Sequence, residues 1–305
     1  MTIVPRPADL IAAPPLAALQ QHPSYARTLA AFGRKARYLT LNTGTGRAVG
    51  LAQVFIRRIG PARIAWVPRG PLWHPGTARD DKRAAIARLG AHLPRALWLI
   101  TWDSPEDAEI LPHHGRIRIA GPQTMAEIDL TRPAQTRLHT QHGKWRNRLR
   151  AAENAGLFIE SRPLRLPLDR ALLDLELTQR RARRYSALPA RFTTAWARLD
   201  PQGTRLFIAR KQGTPIAYIL LLLHAPTATY HIGWSDPEGR HCNAHNLLLW
   251  RASNWLAAQG YARLDLGAVD HAGAPGLARF KQGSGADLRM TGPTHLQLAT
   301  RVFRD

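Results

Sequence analysis

The chain has 305 residues, 45% apolar and 21% charged, which is enough length for two domains and enough core-forming side chain to exclude a disordered polymer. Its 43 Lys and Arg against 21 Asp and Glu give a formal charge of +22, favouring a polyanionic partner: nucleic acid, a phosphorylated ligand or an anionic membrane surface. A single cysteine, Cys242, excludes an internal disulfide and a multi-cysteine zinc site. Only Lys35, Lys82, Lys144, Lys211 and Lys281 are lysines, so an arginine-rich composition accounts for part of the excess and only clustered cations are read as functional. The longest apolar run, 216–223, is too short to span a bilayer. Pro5 and Pro7 stand where a signal peptide would place its basic and apolar regions, so the expectation is a soluble cytoplasmic protein without a membrane span.

In chain order, a proline-rich arm around Pro14-Pro15 precedes a helix near Ser24–Phe32. Strands are expected at 36–41, 48–58 and 62–67, with Gly44 and Gly46 turning between the first two. Arg69-Gly70-Pro71 breaks the pattern; a helix over about 80–93 and a strand at 96–102 follow. An extended stretch near 125–130 then leads into a helical segment at 141–155. The second half starts at 157–161, with helical patterns at 168–185 and 192–199. Three strands come next, 205–210, 215–224 and 227–234, punctuated by Gln212-Gly213-Thr214 and Ala225-Pro226. A helix over 244–259 closes on Gly260, feeds a strand at 262–266, and a short helix holds 278–282. This order of helix, meander, helix and strand in each half predicts an α+β fold with mixed sheets rather than alternating βαβ units. The expected domains are 1–130 and 131–305, the second including the basic helix 141–155.

Several of these segments resemble the Fem-type branch of the GNAT acyltransferase superfamily. The run YHIGWSDPEGR at 230–240 with NAHNLLLW at 243–250 is similar to it, as is LDLG at 264–267 paired with GLARFKQGSG at 276–285. In the first half, VPRGPLW at 67–73 and KWRNRLR at 144–150 fit the same pattern. The resemblance covers roughly 21–296. It implies two tandem GNAT-like subdomains with a cleft between them. It also implies transfer of an amino acid from aminoacyl-tRNA to the amine of a peptidoglycan precursor, or, in related branches, of an acyl group from acyl-CoA. A non-catalytic module that binds RNA or another anion is a further alternative. No tightly bound cofactor is implied; aminoacyl-tRNA or acyl-CoA serves as co-substrate, and family members are often monomers.

The site candidates follow. Phe280-Lys281 is the leading catalytic pair, because aminolysis of an ester or thioester passes through an oxyanion that a cation stabilises. In the Fem family the lysine of this pair is placed to do so. For the proton leaving the amine, Asp265 at a strand end and His231 are the candidate bases, with structural roles as the alternatives. The loop after the 227–234 strand lacks the paired glycines that let a backbone wrap a pyrophosphate. It offers Trp234, Arg240, Asn243 and His245 instead, with Asn243 expected to cap the 244–259 helix. Arg240 and His241 are either phosphate ligands or solvated loop residues. In the basic helix, Trp145, Leu149 and Ala152 make one apolar stripe, flanked by Lys144 and Arg148 on one side and Arg146 and Arg150 on the other. That flank is either a phosphate-facing surface or a solvated face. A second cluster, Arg180, Arg181, Arg183 and Arg184, lies where a helix C-terminus favours cations anyway. Arg69 is held between Pro68 and Gly70; by resemblance its loop borders the acceptor groove, with Trp73 nearby as a stacking or packing residue. The thirteen histidines show no ligand-like pairing, His113-His114 included, so no metal is expected.

Overall fold

The structure is a computed structural model that describes residues 16–91, 96–111, 116–183, 185 and 187–298. Pro14-Pro15, His113-His114 and Arg184 lie outside the described residues. The elements run α1 Pro23–Ala30, β1 Lys35–Asn42, β2 Ala48–Ile59, β3 Ala62–Val67, β4 Leu72–Trp73, α2 Arg79–Ala91, β5 Ala96–Thr101, α3 Pro105–Ala108 and β6 Arg116–Ala120. There follow β7 Thr124–Asp129, α4 Ala134–Thr140, α5 Gly143–Glu153, β8 Phe158–Arg162, α6 Arg170–Arg183, α7 Ala190–Leu199, β9 Thr204–Lys211, β10 Thr214–His224 and β11 Thr227–Ser235. The last described elements are α8 Pro237–His241, α9 Ala244–Ala258, β12 Arg263–Ala268, α10 Pro275–Gly283, β13 Asp287–Met290 and β14 Thr294–Leu298.

Two compact units result, each with a mixed sheet, as the α+β expectation requires. The first holds the chain up to Thr124 and again from Met290, and the second holds Met125–Arg289. The expected division was 1–130 and 131–305. It shifts because β7 pairs with β12 of the second sheet, while β14 pairs with β5 and β6 of the first. Trp102 fastens that return by donating its indole N–H to His295 Nδ1 at 3.2 Å.

The first sheet runs β1-β2-β3-β5-β14-β6, with β4 on β2 and only β3 and β5 parallel among the pairs. The second runs β13-β7-β12-β11-β10-β9-β8. Its two faces explain the continuous apolar run of β10, whose residues 216–224 are all buried, because a strand covered on both sides has no polar face to show. Ala217, Ile219 and Leu221 pack on one face with Leu248, Ala252 and Leu256 of α9 and Trp145 and Leu149 of α5. Tyr218, Leu220 and Ile232 pack on the other with Leu172 and Leu173 of α6 and Ala197 of α7. Burying each large side chain contributes about 1.5–3 kcal/mol, and these faces fix where the ends of β11 and β12 lie.

Candidate active site

The site grows from two parallel neighbours that part. β11 and β12 pair at Thr227↔Arg263, Ala228↔Leu264 and Thr229↔Asp265, and then diverge, β11 running on to Ser235 and β12 to Ala268. On its other side β11 stays paired to β10, with a register shift between Leu220↔Ile232 and Leu221↔Tyr230. His231 is therefore the extra residue of a β-bulge, a device that bends a strand and re-aims its side chains. Its Nε2 lies 2.7 Å from Thr193 Oγ1 of α7, and burial together with Arg180 pushes its pKa down to about 3. A ring so held is neutral at physiological pH.

At the end of β12, Asp265 Oδ1 accepts the N–H of Gly267 at 2.7 Å, closing a turn in which Gly267 takes φ 79°. Glycine is needed there, since a left-handed backbone strains other residues. The turn faces Lys281, which α10 carries in its last turn with only 7% of the residue exposed. Lys281 Nζ donates to Ala268 O at 2.7 Å, leaving two N–H donors of the ammonium for other partners. Burial pushes the Lys281 pKa down, and the carboxylate of Asp265 opposes that shift. The neighbouring Phe280 turns the other way: its ring lies 6.0 Å from Trp145 and 6.2 Å from His245, and its carbonyl accepts the Trp145 indole N–H at 3.1 Å. Helix α10 is thus keyed to α5 by Phe280, which aims Lys281 at the strand end.

Around β11, His245 of α9 donates from Nε2 to Trp234 O at 3.1 Å and to Tyr218 O at 3.3 Å. Burial first, then Arg183 and Arg240, hold its pKa below the usual value. Trp234 stacks on Tyr218 with ring centroids 6.0 Å apart. Gly233 has no room for a side chain, because a Cβ would fall 2.0 Å from the Tyr230 hydroxyl. Asn243 is the N-cap residue of α9, but its side chain does not cap the helix; its amide donates to His241 O at 3.4 Å. Its backbone instead sits at φ 52°, ψ 34°, the left-handed conformation a glycine would supply. The expected side-chain cap fails because an N-cap must be extended to aim its oxygen at the first turn.

Residues 140–282, all of them in this second unit, match the family model of the acetyltransferase (GNAT) domain. Over these residues the chain is similar to GNAT-type acyltransferases. The fold likeness reaches further than the matched residues. The crystal structure of FemX is similar at a TM-score of 0.77 and 14% identity, over 96% of this chain and 95% of that one. The C-terminal domain (DUF2156) of a putative lysylphosphatidylglycerol synthetase from Agrobacterium fabrum is similar at 0.57 and 15% identity, over 95% and 89%. A tandem GNAT protein from the clavulanic acid biosynthesis pathway is similar at 0.52 and 18%, over 87% and 83%. No curated protein matches the chain. The two units are accordingly GNAT-like folds in tandem.

The acyltransferase domain therefore holds Lys281, Phe280, Asp265, His231, Trp234, Arg240, Asn243 and His245 in one unit. Asp265 and Lys281 come together at the end of β12, whereas His231 faces α7 and Thr193. Lys144 and Arg148 project as exposed residues one helical turn apart on α5. Arg146 is instead spent on the α4–α5 turn, donating to His139 O at 3.0 Å and to Gln141 O. Of the second basic cluster, Arg180 is bound to Glu176 at 2.8–3.0 Å, while Arg181 and Arg183 are exposed. Arg69 and Trp73 belong to the first unit. Arg69 sits at φ 51° with its Nε on Asp103 Oδ1 at 2.5 Å, and its buried Nη2 has no hydrogen-bond partner. The Lys82 ammonium lies 5.5 Å from the centre of the Trp73 ring.

A group that the sequence reading missed lies on α6. Glu176 is buried, accepts from the Arg180 guanidinium at two oxygens and from the Tyr185 hydroxyl at 2.9 Å. Gln179 joins it, 3.3 Å from the Tyr185 hydroxyl. A signal existed: Glu176 stands four residues after Leu172 and three after Leu173, on the apolar face of the helix. Among the described residues, no three His, Cys, Asp or Glu group as a metal site, and no helix is long and apolar enough to cross a membrane.

Proposed function

We propose that the protein moves an amino acid from aminoacyl-tRNA to an amine, forming an amide bond. The observation that carries this reading is the buried Lys281 ammonium at the end of β12, with donors to spare beside a glycine turn. The amine nitrogen attacks the ester carbonyl carbon, and the carbonyl oxygen takes the negative charge. Lys281 donates to that oxygen, where a cation in a dry site is worth far more than in water. Collapse breaks the C–O bond to the ribose, whose oxygen leaves with a proton as the amine gives one up. Lys144 and Arg148 supply a cationic flank for the tRNA backbone, a contact that is sequence-independent and salt-sensitive. The similarity in fold to FemX supports the aminoacyl donor.

One observation favours a second reading, acyl-CoA as donor. Asn243 supplies the left-handed residue that turns backbone N–H groups at the start of α9 towards an anion, even without glycines. A single experiment separates the two. The protein is incubated with tRNA charged with a labelled amino acid, and in parallel with labelled acyl-CoA, each with a panel of amines. Label in a base-stable amide from charged tRNA supports the proposal; transfer from acyl-CoA alone replaces it with the second reading.

A further inference from the structure

The parting of β11 from β12 leaves a length of strand edge open, and the backbone of that edge is already occupied by side chains. Asp236 N–H donates to Ile216 O at 3.0 Å, so the backbone of residue 236 faces β10. Successive residues of an antiparallel strand alternate in direction, so Gly233 and Ser235 face away from β10, to the side where β12 has left. Such an edge takes up an extended, amide-bearing chain by strand addition. Here both outward carbonyls are taken. Gln179 Nε2 donates to Gly233 O at 3.0 Å, and Arg240 Nη1 donates to Ser235 O at 2.6 Å.

Gln179 is not there by chance of rotamer. Its amide nitrogen, which has two N–H groups, also lies 3.3 Å from the Tyr185 hydroxyl. That hydroxyl donates to the buried Glu176 carboxylate at 2.9 Å, and Arg180, bound to the same carboxylate, reaches on to Leu188 O at 3.0 Å. A buried carboxylate is costly unless fully paired. This one is paired, and the chain of contacts it starts ends on the β11 edge.

We infer that Gln179 is a donor-specificity residue, capping the β11 edge against an acyl donor whose arm carries amides, such as the pantetheine arm of acyl-CoA, and so leaving the site to a nucleotide ester. The inference rests on the aminoacyl-tRNA reading above. Glu176, Arg180 and Tyr185 are positioning residues that hold the cap. Its test is a binding measurement, independent of turnover. Acetyl-CoA and uncharged tRNA are titrated calorimetrically into the wild type, Gln179→Ala and Gln179→Met. The methionine keeps the bulk and loses the donor, so it separates a hydrogen-bonded cap from a steric plug, and both residues are good helix formers. Acetyl-CoA affinity is expected to rise about tenfold in both variants, the worth of one regained backbone hydrogen bond, with tRNA affinity unchanged within twofold. Equal acetyl-CoA affinity in all three proteins overturns the inference, as does a loss of tRNA affinity of the same size. Failure of the aminoacyl-tRNA reading would show separately, as an absence of label transfer from charged tRNA by the wild type.

Discussion

Replacing Lys281 by methionine removes the donor while keeping most of the side chain's length. In the structure the ammonium has one carbonyl partner, Ala268 O, on an exposed residue that water can serve once the lysine is gone. Burial already works against the charge, so the apolar variant is expected to fold with a Tm within a few degrees of the wild type. Its chemistry is another matter. Loss of one donor to a developing oxyanion costs about 100- to 1,000-fold in kcat, or roughly 2.7–4 kcal/mol. Lys281→Arg keeps the cation and supplies a pH signature. Because burial lowers the lysine's pKa, wild-type kcat should fall as pH rises through a value below that of a free lysine. The arginine, charged at any such pH, should lose that alkaline limb whatever its absolute rate. Single-turnover transfer with saturating substrates, measured across pH, reads both effects. A methionine variant within fivefold of the wild type would refute the reasoning, as would an alkaline limb that persists unchanged in the arginine variant.

Lys144→Ala with Arg148→Ala should weaken tRNA binding and reduce the slope of log K against log salt by about 1 for each cation that touches a phosphate; filter binding from low to high salt checks it. His231 is held neutral down to about pH 3, so below its unfolded value of 6.5 the unfolded chain takes up a proton that the folded one does not. The wild type should therefore lose up to about 2 kcal/mol between pH 7 and pH 5, and His231→Gln should escape that loss, seen as a smaller acid drop in Tm. Asp169, 3% exposed and bound at both oxygens by Arg162 at 2.6 and 2.8 Å, anchors β8 to the start of α6. Asp169→Ala leaves Arg162 its Glu160 partner at 2.6 Å but takes the acceptor from two guanidinium nitrogens and from the Arg165 N–H, and should cost about 1–3 kcal/mol in denaturant unfolding, whereas no measurable loss would contradict the anchoring role.

The parts of this molecule that were legible in its sequence are those where one local pattern decides. The apolar run of β10, the hairpin at Gln212-Gly213 and the closing of α9 at Gly260 all stood close to where the structure has them. Lys281 was singled out by motif as a catalytic candidate, and its burial beside the Asp265–Gly267 turn fits a strand ending in Leu-Asp-Leu-Gly. What was not legible depends on distant partners. β14 returns to β5 across the length of the chain, and nothing local in Thr294–Leu298 says which sheet it joins. Glu176 was hidden by habit: a glutamate in a helix reads as solvated, and only its place among the leucines of α6 marks it as buried. Asn243 was read as a cap by residue type, but backbone conformation, not type, decides whether a side-chain oxygen can reach the first turn.

The most direct measurement is the affinity for a phosphonamidate that joins a 3′-adenosyl fragment to an amine, a tetrahedral stand-in for the aminolysis intermediate, compared between the wild type and Lys281→Met. The expected result is a loss of analogue affinity that tracks the loss of kcat/KM, about 100-fold or more, with substrate binding preserved. Equal affinity of the two proteins for the analogue would contradict a role for the Lys281 ammonium in meeting the oxyanion.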